Sequence, residues 1–275
     1  MPAARGYRSH IGGSPLDIYV VSIPRFRERF DYIHQHVRSR SRRAVHAICV
    51  DGAEPDQLPD FLAPDAAAGL NEGQTGCAAA HLLACKKIVE SGDSAGFVVE
   101  DDVYLPPAID DILDKLEPEL AADEVISLYN RTIKREVFSR QGAVPIAGTG
   151  LSLIYPMQAR SMRTSAAYLI GRDAARGVLE CNRNLHYVAD DWAAFYQMGA
   201  VASIRLAHPI PCKMKSFQST IGYRGNDSVS VKIRNMLLRS GIGQQLIALR
   251  RRLIFWIKER NIVLVDERSA ISNKP

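Results

Sequence analysis

The stretch GFVVEDDVYL, Gly96–Leu105, runs an apolar segment straight into three adjacent carboxylates, Glu100, Asp101 and Asp102. Like charges side by side repel, and burying any of them unpaired is costly. The pattern therefore predicts a positive partner at this point. Phe97, Val98 and Val99 read as a buried strand, which would hold the backbone that carries the acids. In an extended chain the first and third side chains share a face, so Glu100 and Asp102 are expected together, with Asp101 turned away.

Strands and helices alternate on either side. LDIYVVSIP (Leu16–Pro24) is a β-branched run stopped by proline, and RFRERFDYIHQHV spaces Phe26, Phe30, Ile33 and Val37 along one helical face. AVHAICVDG (Ala44–Gly52) reads as a second strand closed by an Asp-Gly turn. After a loop with several prolines and glycines, CAAAHLLACKKIVESG (Cys77–Gly92) reads as a helix ended by glycine. A helix opened by Pro106-Pro107 is expected to run to about Leu116. Further strands are expected at Glu124–Asn130, at Ala166–Ile170 and within AVASIRLAHPIP (Ala200–Pro211). Asp173 and Asp190 are placed to N-cap two more helices. Such an order predicts the α/β class: a Rossmann-type, mixed, mostly parallel sheet flanked by helices. Ligands of open sheets of this kind bind beyond the carboxyl ends of the strands, where the three acids fall.

The 275 residues, 47% hydrophobic and 24% charged, suit a domain with a sizeable core. Residues 1–45 carry nine basic against three acidic side chains, residues 231–260 eight against one, and residues 46–230 only 16 against 24. The acids that would do chemistry thus lie in the negative middle, which argues against nucleic acid as a partner. Five cysteines without C-x-x-C spacing predict reduced, mostly buried thiols, and neither a zinc site nor a disulfide framework is expected. No secretory signal and no membrane-spanning run is visible, which predicts a cytoplasmic location. The chain is read as a loose leader over 1–15, the α/β domain over 16–229 and a basic helical tail over 230–275. Within 230–260, Trp256 and aliphatic residues beside many basic ones predict an amphipathic contact with an anionic membrane surface.

Hard divalent cations such as Mn²⁺ or Mg²⁺ take one or two carboxylates together with phosphate oxygens and water. An acidic turn at the end of a buried strand suits such a cation holding a phosphorylated ligand. Glu100 and Asp102 are the expected metal and diphosphate residues.

The ordered set of motifs from Ile18 to Ile221 resembles glycosyltransferase family 25, the lipooligosaccharide-type galactosyl- and glucosyltransferases. IYVVSIPRFRERF, CVDG, LNEGQTGCAAAHLLACKKIVESG, VVEDDV, TSAAYLIGRDAARGVL, VADDW and SFQSTIGYR carry the likeness in that order. Gln74 stands where the family often has an acid, and Ala80 where a serine is usual. The resemblance implies a GT-A-like fold and transfer of a hexose, galactose first, from a UDP-sugar with inversion. The acceptor would be a lipopolysaccharide, a lipooligosaccharide or a related glycolipid or oligosaccharide. The enzyme would sit peripherally on the inner face of the cytoplasmic membrane. Asp190 and Asp191 are the candidate bases, with Asp191 preferred because Asp190 fits the helix cap. Arg25 and Arg29 would meet phosphates, and Asp51 the uracil or ribose. Glu100 or Asp101 would hold the ribose or the diphosphate, His81 would stand near the nucleotide, and Ser219 at the pocket rim. The rival readings are a metal-dependent phosphoesterase or nuclease, and a non-catalytic protein that binds UDP-sugars or lipid surfaces.

Overall fold

The computed structural model describes residues 16–63, 66, 69–131, 136–217, 245, 249 and 262–265. In chain order the elements are β1 (Asp17–Val21), α1 (Arg27–Arg40), β2 (Val45–Ile48), α2 (Glu72–Ser91), β3 (Ala95–Glu100), β4 (Val103–Tyr104), α3 (Ile109–Leu116) and β5 (Glu124–Ser127). They continue with β6 (Glu136–Ile146), β7 (Leu151–Pro156), β8 (Ala167–Gly171), α4 (Arg172–Cys181), α5 (Trp192–Gln197), β9 (Ser203–His208), β10 (Lys213–Met214) and β11 (Ile262–Val265).

Among the described residues, nine strands form one sheet in the order β11-β6-β7-β9-β5-β8-β3-β1-β2, and β4 pairs with β10 beside it. The pairings β1–β2, β1–β3 and β5–β9 are parallel; β8 runs against both its neighbours, β3 and β5. With β7 and β11 also reversed, six of the nine strands point the same way. The α/β class and the mixed, mostly parallel sheet are as expected. Its central strands are apolar on both faces because helices cover them: Phe97, Val98 and Val99 of β3 are fully buried, as are Ile18 and Val20 of β1. Arg205 of β9 closes a bidentate, nearly fully buried pair on Glu124 of β5, with both N···O distances 2.6 Å.

Several local expectations are corrected. Helix α2 begins at Glu72, not Cys77: Asn71 accepts from the Gln74 amide at 2.9 Å while Gln74 Oε1 accepts from the Asn71 amide at 3.1 Å. That reciprocal capping box lets the glycine-rich EGQTG segment fold as helix. Asp173 does not cap α4; it sits in the first turn, takes Arg176 at 2.7 Å, and Gly171 holds the cap position. The β6–β7 hairpin is a further finding, as its strands lack the clean apolar alternation a sequence reading needs. β11 makes Ile262–Val265 a strand within the segment expected to be a helical tail. The rest of that tail, apart from Gln245 and Leu249, lies outside the described residues, as does the leader over 1–15.

The loop after β2 packs so closely on the first turn of α2 that only glycine fits. A Cβ on Gly52 would lie 2.0 Å from the Glu72 carbonyl oxygen, and one on Gly76 would lie 2.6 Å from the Gly52 nitrogen. Gly52→Ala is therefore expected to destabilise the protein by about 1–3 kcal/mol. A urea titration checks this; an unchanged midpoint would show that the loop can yield.

Candidate active site

β1, β2 and β3 end side by side, and the segments that follow them open a cleft of about 980 Å³. Its walls include Ser22 and Arg25 after β1, Asp51 and Gly52 after β2, and Glu100 and Asp101 at the end of β3; the start of α2 closes the remaining side. This is where an open sheet offers backbone ends to a ligand.

Arg29 of α1, expected at phosphates, instead pairs with two of the three acids. Its Nε lies 3.0 Å from Asp101 Oδ1 and its Nη2 2.8 Å from Asp102 Oδ2; Nη2 also donates to Asp101 Oδ1. A guanidinium forks onto two carboxylates in a way an ammonium cannot. Asp101 and Asp102 thus share one partner, while Glu100 takes another set. The expected alternation fails because β3 ends at Glu100 and the chain turns at Asp101 and Asp102, so the strand pleat does not reach the third acid.

Glu100 Oε1 accepts from Ser165 Oγ at 2.7 Å and lies 3.3 Å from His81 Nε2. Burial opposes its ionisation, but His81, Ser165 and Arg29 together outweigh burial and hold it below the usual carboxylate value. Asp102 behaves oppositely: burial first, then the Glu100 charge, push it up from 3.8 to about 7 against the pull of Arg29. Asp101 is raised as well, by burial above all. Three carboxylates face one guanidinium, so the group carries an excess of negative charge when ionised.

Asp102 Oδ1 is buried and has no hydrogen-bond partner. An orphaned carboxylate oxygen in a negatively charged cluster is a donor of the kind a hard divalent cation takes.

Of the two aspartates of VADDW, Asp191 and not Asp190 takes the capping role. Asp191 is the N-cap of α5 and accepts from the Ala194 amide at 3.2 Å. Asp190 is left uncommitted to the helix and stands close enough to Glu100 and His81 for both to act on it; burial, then the Glu100 charge, raise it. The cap expected of Asp190 thus falls to Asp191.

Arg25 is half-exposed at the cleft and donates to Asp51 Oδ1 at 3.0 Å. The same oxygen accepts from the Ala53 amide at 3.0 Å, so Asp51 both shapes its turn and lines the cleft. His81, 4% exposed, bonds through Nδ1 to Tyr168 Oη at 2.9 Å. Ser219 lies outside the described residues. Ser165 and Tyr168 of the β8 region enter the site although the sequence marked neither for function. Only the pairing of β8 with β3 brings them there, and no local pattern encodes that pairing.

The sheet, the cleft at its carboxyl edge and the acid cluster define an α/β enzyme. The family model for glycosyltransferase family 25 (LPS biosynthesis protein) matches residues 16–193, and the chain belongs to that family. It is a glycosyltransferase of lipopolysaccharide biosynthesis, a class that joins a sugar donor to a glycoconjugate acceptor. No curated protein matches the chain. Among solved structures, the crystal structure of mannose-1-phosphate geranyltransferase from Thermus thermophilus is similar at 11% identity and a TM-score of 0.31, over 70% of this chain and 73% of that one. At that TM-score the likeness carries no functional weight.

Proposed function

We propose that the enzyme transfers a hexose, galactose first, from a UDP-sugar to a hydroxyl of a lipopolysaccharide-type glycolipid, with inversion at the anomeric carbon. The observation that carries this reading is the acid cluster on Arg29 beside a cleft large enough for a nucleotide sugar. Asp51 and Arg25 stand at its far wall, suited to the nucleoside and the phosphates. Asp102 and Glu100 would hold a divalent cation, which would offset charge on the departing diphosphate. Arg29 keeps Asp101 and Asp102 fixed and protects the cluster from its own repulsion.

Inversion needs one displacement and one base. Asp190 takes the proton from the acceptor hydroxyl, since it is the aspartate of the pair that the α5 cap leaves available. The environment that raises it also makes it a stronger base than a free aspartate. The acceptor is a lipid-linked sugar, so the basic segment 230–260 would bring the enzyme to an anionic, inner-face membrane surface. No helix among the described residues is long and apolar enough to cross a membrane.

The test measures UDP release from UDP-galactose, UDP-glucose and UDP-N-acetylglucosamine, with and without Mn²⁺ and a glycolipid acceptor. Acceptor-dependent UDP release is expected, fastest with UDP-galactose, and NMR of the product should show the opposite anomeric configuration to the donor. Absence of binding to all three UDP-sugars, together with cleavage of DNA or RNA, would replace this reading by the phosphoesterase one.

A further inference from the structure

Cys77 and His81 stand one helical turn apart on α2, at i and i+4, and so share a face. That face meets the end of β3: one ligand atom each from Cys77, His81 and Glu100 lie within 4.8 Å of one another. His81 is 4% exposed, and its Nε2 is buried without a hydrogen-bond partner. Glu100 Oε1 lies 3.3 Å from it without completing a hydrogen bond. An orphaned imidazole nitrogen between a thiol and a carboxylate is an unpaid cost unless something binds there.

We propose that Cys77, His81 and Glu100 form a site for a thiophilic divalent cation of the zinc class, with the fourth position open to the cleft. The ligand set, one sulfur, one imidazole nitrogen and one carboxylate oxygen, is the softness zinc or cobalt selects over magnesium or manganese. Ligand atoms in a tetrahedral zinc site are about 3.4–3.6 Å apart, so the His81–Glu100 edge is near its bound length already. An adjustment of about 1 Å closes the widest edge. Tyr168 supplies the outer support: with Nδ1–H donated to its hydroxyl oxygen, Nε2 keeps the lone pair that a metal needs. Cys77 and Glu100 both line the cleft, which leaves the fourth position to water or a ligand oxygen.

Binding forms Cys77 Sγ–metal, His81 Nε2–metal and Glu100 O–metal bonds, and the Cys77 thiol proton leaves to solvent. With the site empty, burial and the neighbouring carboxylates hold that thiol neutral; the cation reverses this. The site does not rest on the identity of the donor. It shares Glu100 with the hard-cation site, so zinc is expected to compete with manganese-supported turnover.

The experiment titrates the chelator-stripped full chain with Co²⁺ and follows thiolate-to-cobalt charge transfer. One equivalent is expected to bind with that band. Cys77→Ser should lose it, Tyr168→Phe should weaken affinity about 10–100-fold with the band retained, and Asp102→Ala should keep it. Zinc should also shield Cys77 from alkylation in the unsubstituted chain, located by peptide mass mapping, with Cys49 reactive throughout. This second readout stands if Cys77→Ser fails to fold. A chain that binds cobalt without a thiolate band, a band that survives Cys77→Ser, or alkylation of Cys77 unaffected by zinc overturns the proposal. Loss of UDP affinity in Asp102→Ala with the band intact would separate the two metal sites.

Discussion

Asp190→Asn is expected to lower kcat by about 10²–10⁴-fold, the usual contribution of a general base, with donor KM nearly unchanged. The substitution keeps size and polarity but removes the capacity to take a proton. Its partner tests the assignment: Asp191→Ala removes the α5 cap and should cost about 0.5–2 kcal/mol of stability, with little loss of kcat in the folded fraction. Burial and the Glu100 charge both oppose ionisation of Asp190. The acidic limb of the kcat/KM profile should therefore lie above the range of an ordinary aspartate, and Asp190→Asn should abolish that limb. Steady-state UDP release across pH, paired with thermal melting of both variants, reads all of this. If Asp191→Ala abolished turnover at full stability while Asp190→Asn remained active, the base would be Asp191.

The position of the cap within VADDW shows where local reading stops. Both aspartates satisfy the chemistry of an N-cap, and the helix register decides between them. Trp192, the last residue of the motif, is held by partners outside it: its indole Nε1 donates to the Thr164 carbonyl at 2.9 Å and its ring meets Tyr168 edge-on at 5.0 Å. The strand Phe97–Val99 and the acids after it were legible because burial on both faces leaves an unbroken apolar run. Arg29 was legible as a residue near the site but not as the partner of Asp101, because 72 positions of chain separate them. The closeness of Cys77 and His81 to Glu100 was not legible for a related reason. Spacing rules look for residues close in sequence, whereas Cys77 and His81 lie on α2 and Glu100 ends β3.

Asp102→Ala is expected to lower metal-supported kcat/KM by at least about 100-fold, the scale of losing one preorganised stabiliser of developing charge. UDP affinity should fall in Mn²⁺ buffer and change little in EDTA, since Arg25 and Asp51 remain. Arg29 keeps Asp101 as a partner, so the loss should not be one of folding. A second observable follows from the raised ionisation of Asp102. Its folded-state value of about 7 exceeds 3.8, so the folded protein holds this proton more tightly than the unfolded chain does. The resulting stability is complete below about pH 4 and is lost as pH rises through 7. Asp102→Asn does not titrate, so its advantage in melting temperature over the metal-free parent should grow between those limits and then level off. Mn²⁺ should reverse the trend for the parent alone, because it binds the ionised carboxylate and gains affinity as the proton leaves. Calorimetric melts at several pH values, with EDTA or Mn²⁺, measure both effects. A pH-independent gap would mean that Asp102 ionises freely, and unchanged UDP affinity in Mn²⁺ buffer would remove the cation from the acid cluster.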